Sequence, residues 1–148
     1  MSRDTILLVE DNPDEAELAL FGFGEVGRQY NIQLARNGEE ALDYLFGTGH
    51  YANRPEDLTP RLVILDLDMP RVNGFEVLRQ IRLNPQYRHT PVVILTTSDE
   101  QSDILKGYQL GVNSYLRKPV DFDSFADLLQ QVSAYWLCQH PPHRRHAH

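Results

Sequence analysis

Five polar side chains stand directly after short apolar segments of this sequence. Glu10 and Asp11 follow "TILLV", Asp66 follows "LVIL", Thr96 follows "VVIL", and Lys118 closes "SYLRK". A buried acid without a partner is costly, and neighbouring carboxylates raise one another's pKa unless a cation lies among them. If the apolar segments end at the same place in the fold, we therefore expect a cation there.

These residue types together favour one kind of chemistry. Carboxylate oxygens suit Mg²⁺, which keeps several waters and takes few protein ligands. The metal and Lys118 would neutralise the charge of an incoming phosphoryl group, and the Thr96 hydroxyl would bond one of its oxygens. Asp66 is then placed to receive the phosphoryl group on its own carboxylate.

The apolar segments are predicted to be the strands of an α/β fold. They cover residues 5–10, 32–36, 62–66, 91–95 and 114–118, and the helix-period segments cover 13–27, 39–46, 74–83, 99–110 and 121–138. Short apolar strands that alternate with helices imply a parallel sheet covered on both faces. The carboxyl ends of such strands face one crevice, so the five polar side chains should converge there.

Composition narrows the class of protein. The 148 residues suit one domain, and the formal net charge of −7 argues against binding nucleic acid or an anionic membrane surface. No segment is long enough to span a membrane, the N-terminus is not a secretory signal, and the single cysteine, Cys138, fits a reducing compartment. We expect a cytoplasmic protein with one domain over residues 1–138 and a disordered tail over 139–148, which lacks apolar spacing.

In order and spacing, these residues resemble the receiver domain of two-component response regulators. The resemblance runs from Thr5 to about Cys138 and depends on "LLVED", "LDLDMPRVNG", "VVILTTS" and "SYLRKP". It implies a doubly wound, five-stranded parallel sheet of order 2-1-3-4-5 in a flavodoxin-like, three-layer α/β/α architecture. It also implies a phosphoacceptor signalling protein that catalyses only its own phosphorylation and dephosphorylation, and not an enzyme acting on outside substrates.

The resemblance assigns a role to each acidic residue of the site. Asp66 would be phosphorylated by a sensor histidine kinase, and Glu10 and Asp11 would bind Mg²⁺ together with Asp66 and the main-chain carbonyl of Asp68. Asp68 stands where many receivers have a neutral or bulkier residue, and Ser98 stands where some receivers have an acid. Both positions bear on the lifetime of the phosphoryl group.

The same resemblance extends to the residues that respond to phosphorylation. Thr96 and Tyr115 match the switch pair of the family, in which the phenol ring moves inward when the hydroxyl turns to the phosphoryl group. Lys118 matches the lysine that contacts the phosphoryl group. Pro119 is implied to follow a cis peptide bond.

The last predicted helix carries more apolar residues than one helix face can bury. Tyr135, Trp136 and Leu137 are consecutive, so at least one of them must point away from the core. We predict a homodimer built on the last helix and the fifth strand, with Tyr115, Phe122, Tyr135 and Trp136 at the interface. A terminal segment wrapped over the domain's own surface is the alternative.

A narrower likeness concerns the partner. The Gly/Pro-rich loop before the third strand, together with "LTTS" and "AYW", resembles the stand-alone receivers paired with bacterial and cyanobacterial phytochromes. This likeness implies a light-regulated phytochrome histidine kinase as the phosphodonor, and it agrees with the predicted homodimer.

Two other functions compete with this interpretation. A phosphatase of the haloacid dehalogenase type would use Asp66 as nucleophile and Asp68 as general acid on outside substrates. Met69 differs from the Thr or Val usual in that family, and no later acidic pair supplies its metal site. The third candidate is a degenerate receiver that only binds partners, and the complete set of acids with Lys118 argues against it.

Overall fold

The sheet has the predicted strands in the predicted order. A computed structural model describes residues 4–67 and 73–138 of the chain. All four strand pairings are parallel and the order is β2-β1-β3-β4-β5, which confirms the doubly wound α/β architecture. The strands are β1 (Thr5–Val9), β2 (Asn31–Ala35), β3 (Pro60–Leu65), β4 (Val92–Thr96) and β5 (Ser114–Arg117).

Helices connect the strands and pack on the sheet. Asn12, Asn37 and Asn73 begin three of them by accepting hydrogen bonds from backbone N–H groups of the first turn. None of the described helices combines the length and the apolar character that crossing a bilayer requires. The helices are α1 (Pro13–Gly22), α2 (Val26–Gln29), α3 (Gly38–Phe46), α4 (Gly74–Leu83), α5 (Gln101–Gln109) and α6 (Phe122–Ser133), and a π-helical turn over Ala134–Cys138 continues α6.

Alternating residues of the central strands contribute to two cores. Leu7 and Val9 of β1 pack with residues of α3 and α4 on one face, whereas Ile6 and Leu8 pack with residues of α1 and α6 on the other. Because β1, β3 and β4 are buried on both faces, the sequence shows continuous apolar runs there.

The first helix is shorter than the sequence predicts. A single helix over residues 13–27 is wrong, because α1 ends at Gly22 and the short α2 begins at Val26. Between them Gly24 has a φ of +55°, through which a right-handed helix does not continue. The side-chain amide of Gln130 on α6 donates to the Gly22 carbonyl at 3.0 Å and satisfies an acceptor at the break.

The other predicted boundaries agree with the structure to within two residues, and α4 has the predicted bounds. The predicted helix over 121–138 is present as α6 and the π-helical turn that follows it. The predicted tail over 139–148 and the residues 68–72 lie outside the described part of the chain.

The side chain of Arg54 links the polar loop between α3 and β3 to the end of α3. Two short 3-10 turns, Gly49–Tyr51 and Glu56–Leu58, lie within this loop. The guanidinium donates from Nε to the Tyr44 carbonyl at 2.7 Å and from Nη2 to the Leu45 carbonyl at 3.0 Å. The last carbonyls of a helix have no partner inside it, so Arg54 acts as a cap for the end of α3.

Arg54→Ala should lower the free energy of unfolding by about 2 kcal/mol, because two carbonyls lose charge-assisted hydrogen bonds. Urea-induced unfolding followed by circular dichroism measures the change. Arg28→Ala is the matched control: its ion pair with Glu25 is exposed, so the change should stay below about 0.5 kcal/mol. Equal losses in the two variants would contradict the capping role.

Candidate functional site

The register of the strands brings the acidic residues together. Val9 pairs with Leu65 across β1 and β3, so the next residues, Glu10 and Asp66, leave neighbouring strands side by side. Asp11 follows Glu10, and one carboxylate oxygen from each of the three residues lies within 4.8 Å of the others. Glu10 and Asp66 are buried, and Asp11 is half-buried. The structure thus brings the three predicted acids into one cluster.

Lys118 reaches this carboxylate cluster from the β5 side. Its backbone N–H donates to the Thr96 carbonyl at 2.8 Å, which extends the pairing of β4 and β5. The ammonium Nζ lies 2.7 Å from Glu10 Oε1, 3.9 Å from Asp66 Oδ2 and 2.6 Å from Oε1 of Glu15, on the first turn of α1. Only 10% of the Lys118 side chain is exposed, so the ammonium depends on these carboxylates as partners.

Burial makes the negative charge of the cluster costly. It raises the pKa of Glu10 to about 7, although the hydrogen bond with Lys118 acts in the opposite direction. Burial alone would lower the pKa of Lys118, but hydrogen bonds to Glu10 and Glu15, together with the charges of Asp66 and Glu10, raise it above its ordinary value. The ammonium stays charged yet faces several carboxylates. A divalent cation beside Asp11 and Asp66 would balance the remaining negative charge of the carboxylates. Their oxygen-only donors fit Mg²⁺ or Mn²⁺.

Backbone N–H groups orient two of the carboxylates. Leu67 donates to Asp66 Oδ1 at 2.7 Å, and Asn12 donates to Glu10 Oε2 at 3.2 Å. The side chain of Asn12 in turn accepts from the backbone N–H of Glu15 at 3.1 Å. The end of β1 and the first turn of α1 therefore form one hydrogen-bonded unit around the site.

Gly74 allows α4 to begin against the backbone of the site. A Cβ added at this position would clash with the Asp66 carbonyl oxygen and lie 2.9 Å from Leu67 Cα. The Gly74 N–H donates to the Leu67 carbonyl at 3.2 Å, so the close approach includes a hydrogen bond. A side chain here would push α4 away from the end of β3 and from Asp66.

Thr96 and Tyr115, the predicted switch pair, are linked through Ser98. Thr96 is fully buried, and its Oγ1 accepts a long hydrogen bond of 3.4 Å from the Ser98 N–H. The Tyr115 phenol donates to the Ser98 carbonyl at 3.0 Å, and its ring packs against the core. The ring fits beside Gly107, where an added Cβ would lie 3.3 Å from Tyr115 Cδ2. The ring is therefore inward in this structure.

One expectation about the site is wrong, and another concerns a residue outside the described part of the chain. The described residues contain no cis peptide bond, so the expected cis bond between Lys118 and Pro119 is wrong. The bond is trans because X–Pro bonds intrinsically prefer the trans form. The carbonyl of Asp68, an expected metal ligand, lies outside the described residues.

Sequence reasoning missed Glu15 and Gly74. The helix dipole favours acids in a first helical turn, so the sequence gives no reason to expect a further role for Glu15, such as its bond to Lys118. The available signal is that Glu15 belongs to the helix turn capped by Asn12, next to the two acids that end β1. For Gly74 the signal is a glycine as the first residue of a helix, a place where better helix formers are available.

The residues predicted for a dimer interface lie along α6 and its continuation, apart from Tyr115 on β5. Tyr135 is 48% exposed whereas Trp136 packs partly against the core, which confirms that one of these consecutive residues points outward. Phe122 lies at the start of α6, with its ring 5.6 Å from that of Phe21 on α1.

A comparison with family models decides the family. The model of the response regulator receiver domain matches residues 6–130 of the chain. The chain belongs to this family. The sheet order of this receiver and its acidic cluster agree with the resemblance found in the sequence.

Three relatives are similar to this receiver over most of their own length. The probable methanogenesis regulatory protein FilR2 of Methanothrix harundinacea is 42% identical over 135 residues, which cover 89% of this chain and 83% of FilR2. The phosphorylated cyanobacterial phytochrome response regulator RcpA has 33% identity and a TM-score of 0.85, with 93% of this chain and 96% of RcpA covered. The Mn²⁺-bound form of response regulator Rcp1, a protein of Synechocystis, has 36% identity and a TM-score of 0.76, with 90% and 94% covered. This receiver is therefore similar to stand-alone phytochrome response regulators.

Asp11→Asn should weaken Mg²⁺ binding by about tenfold, because it removes one charge from the three-carboxylate cluster. Isothermal titration calorimetry with MgCl₂ measures the affinity. Asp14→Asn is the control: it changes an exposed acid in the first turn of α1, and the affinity should stay within about twofold because solvent screens that charge. Unchanged Mg²⁺ affinity in Asp11→Asn would exclude this residue as a ligand.

Proposed function

We propose that this receiver is a stand-alone response regulator that accepts a phosphoryl group on Asp66, with Mg²⁺, from a sensor histidine kinase. The observation that carries the proposal is the cluster of Glu10, Asp11 and Asp66, with Lys118 Nζ at 3.9 Å from Asp66. An acceptor carboxylate, a donor set for a divalent cation and a fixed ammonium meet at one edge of the sheet. Transfer of a phosphoryl group onto a carboxylate needs this combination, because charge builds up on the phosphoryl oxygens.

The transfer is a substitution at phosphorus. A carboxylate oxygen of Asp66 attacks the phosphorus of a phosphohistidine, and the new O–P bond forms as the P–N bond breaks. The electron pair of the broken bond remains on the imidazole, which carries a proton on its other ring nitrogen. Bound Mg²⁺ supplies charge neutralisation at the phosphoryl oxygens. Glu10 and Asp11 act as ligands beside Asp66, and Lys118 donates to a phosphoryl oxygen.

Thr96 and Tyr115 connect this reaction to the protein surface. When the Thr96 hydroxyl turns to a phosphoryl oxygen, it gives up the long hydrogen bond from the Ser98 N–H. The Ser98 carbonyl also accepts a hydrogen bond from the phenol of Tyr115. A rearrangement of Ser98 therefore acts on both Thr96 and Tyr115. The loop after β4 and the Tyr115 ring then change together and alter the surface that a partner contacts.

A phytochrome-type sensor histidine kinase is the phosphodonor that the similarity supports. RcpA, a phytochrome response regulator, and Rcp1 are each similar to this receiver over nine-tenths of its length or more. Such a kinase would meet the receiver in the cytoplasm. The formal net charge of −7 argues against nucleic acid as a direct partner. The family match argues against a phosphatase of the haloacid dehalogenase type.

The homodimer that we propose uses the end of α6 and the β5 edge. A groove of about 430 Å³ lies there, lined by Ser114, Leu128, Tyr135, Trp136 and their neighbours. Tyr135 projects from this region with 48% of its surface exposed. Exposed aromatic side chains beside a groove are typical of protein–protein contacts.

Asp66→Asn should abolish uptake of a phosphoryl group from acetyl phosphate in the presence of Mg²⁺, because the amide has no nucleophilic carboxylate oxygen. Intact-protein mass spectrometry measures the uptake, and circular dichroism checks that the fold is kept. Asp99→Asn is the matched control, since this exposed acid is paired with Arg117 and lies outside the cluster. Undiminished labelling of Asp66→Asn would refute the acceptor assignment.

Tyr135→Ala and Trp136→Ala should each shift the receiver from dimer toward monomer, because they remove aromatic surface at the end of α6. Sedimentation velocity over a range of protein concentrations measures the shift. Leu83→Ala, which truncates an exposed apolar residue on α4, should leave the profile unchanged. An unchanged profile in both aromatic variants would favour the alternative of a terminal segment wrapped over its own domain.

A further inference from the structure

The ammonium of Lys118 is held by two carboxylates that belong to different elements. Nζ donates to Oε1 of Glu10 at 2.7 Å and to Oε1 of Glu15 at 2.6 Å, both short and charge-assisted. Glu10 ends β1 and belongs to the carboxylate cluster, whereas Glu15 lies on α1 and outside the cluster. Two of the three N–H donors of the ammonium are therefore directed toward β1 and α1.

Asp66 lies just beyond hydrogen-bond reach of the same ammonium. The distance from Nζ to Asp66 Oδ2 is 3.9 Å, which is an ion pair but too long for a hydrogen bond. Charge-assisted N–H···O bonds span about 2.7–2.9 Å, so the two groups are about 1 Å short of direct contact. A phosphoryl group attached to Asp66 carries its oxygens beyond the carboxylate. The third N–H of Lys118 then has room to meet one of these oxygens.

Glu15 is fixed in place by the cap of α1. Its backbone N–H donates to Asn12 Oδ1 at 3.1 Å, and the backbone N–H of Asn12 donates to Glu10 at 3.2 Å. The Glu15 side chain is 43% exposed, so the core does not require an acid at this position. The bond to Lys118 accounts for a carboxylate here better than packing does.

We propose that Glu15 is a positioning residue for phosphoryl transfer, which holds the Lys118 ammonium out of hydrogen-bond range of Asp66 so that the phosphoryl group enters between them. The role depends on the function proposed above. Glu15 lies outside the cluster of Glu10, Asp11 and Asp66, and it would act through the position of Lys118.

Loss of the Glu15 carboxylate would turn Lys118 toward Asp66. Of the three carboxylates within ion-pair distance of Nζ among the described residues, Glu10 and Asp66 would remain. The released N–H would move to a direct hydrogen bond with Asp66 Oδ2. That bond would engage carboxylate lone pairs that attack phosphorus, and transfer would slow.

Phosphorylation by acetyl phosphate with Mg²⁺ tests this role. An Asp66 oxygen bonds to phosphorus as the bond from phosphorus to the acetate oxygen breaks, and acetate leaves with the electron pair. Glu15→Ala should react about fivefold more slowly than wild type, the effect of losing one hydrogen bond to the ammonium. Glu15→Gln keeps an acceptor oxygen and should stay within about twofold of wild type. Glu17→Ala removes an exposed acid from the same helix and should react at the wild-type rate.

A second measurement reports on Lys118 without cation or phosphodonor. NMR of lysine ammonium groups detects N–H protons whose exchange with water is slowed by hydrogen bonds, and Lys118→Gln assigns the signal. Wild type and Glu17→Ala should share one Lys118 resonance, and Glu15→Gln should keep the slowed exchange because its amide oxygen still accepts a hydrogen bond. In Glu15→Ala this resonance should shift, because one partner of the ammonium has changed.

Slowed transfer with a shifted Lys118 resonance in Glu15→Ala alone supports the proposal. A wild-type rate in Glu15→Ala overturns it, as does an equal slowing in Glu17→Ala, which would reflect net charge rather than a specific contact. If the wild-type protein takes up no phosphoryl group, the proposed function fails and the role of Glu15 fails with it. That outcome is distinguishable because it affects wild type and variants alike.

Discussion

The balance of charge at the carboxyl edge of the sheet is the constraint on which the rest of this structure depends. Glu10 and Asp66 are buried, and an ionised carboxylate is costly to bury without a cation beside it. Among the described residues, Lys118 is a cation that the chain itself provides, and it bonds Glu10 across 108 positions of sequence. The fold therefore has to deliver acids and ammonium from distant segments to one point.

A parallel sheet meets this requirement because its strands all end at one edge. β1 and β3 are in register, so Glu10 and Asp66 become neighbours without any loop to bring them together. The two cores hold the strands in place, and Gly74 brings α4 against the end of β3. Polar groups on such a packed scaffold are oriented before any ligand binds, which is what stabilisation of a charged transition state requires.

The convergence of acids is predictable from the sequence because buried strands leave continuous apolar runs, and a carboxylate that ends such a run is conspicuous. The break after α1 is not predictable in this way, since Gly24 lies in a helix-like pattern and only its φ of +55° and the contact from Gln130 reveal the end. Glu15 is hidden for another reason. The helix dipole already explains an acid at its position. Its bond to Lys118 joins residues 103 positions apart, and such a contact produces no pattern in the sequence.

The inward ring of Tyr115 depends on the absence of a side chain at Gly107. A methyl group there would lie 3.3 Å from both Tyr115 Cδ2 and Ile94 Cδ1, so it would press on the ring without touching Asp66 or its neighbours. A larger residue at this position of α5 would therefore crowd the Tyr115 ring directly. Under the function proposed above, α5 would thus offer a place where the response could be altered without altering the carboxylate cluster.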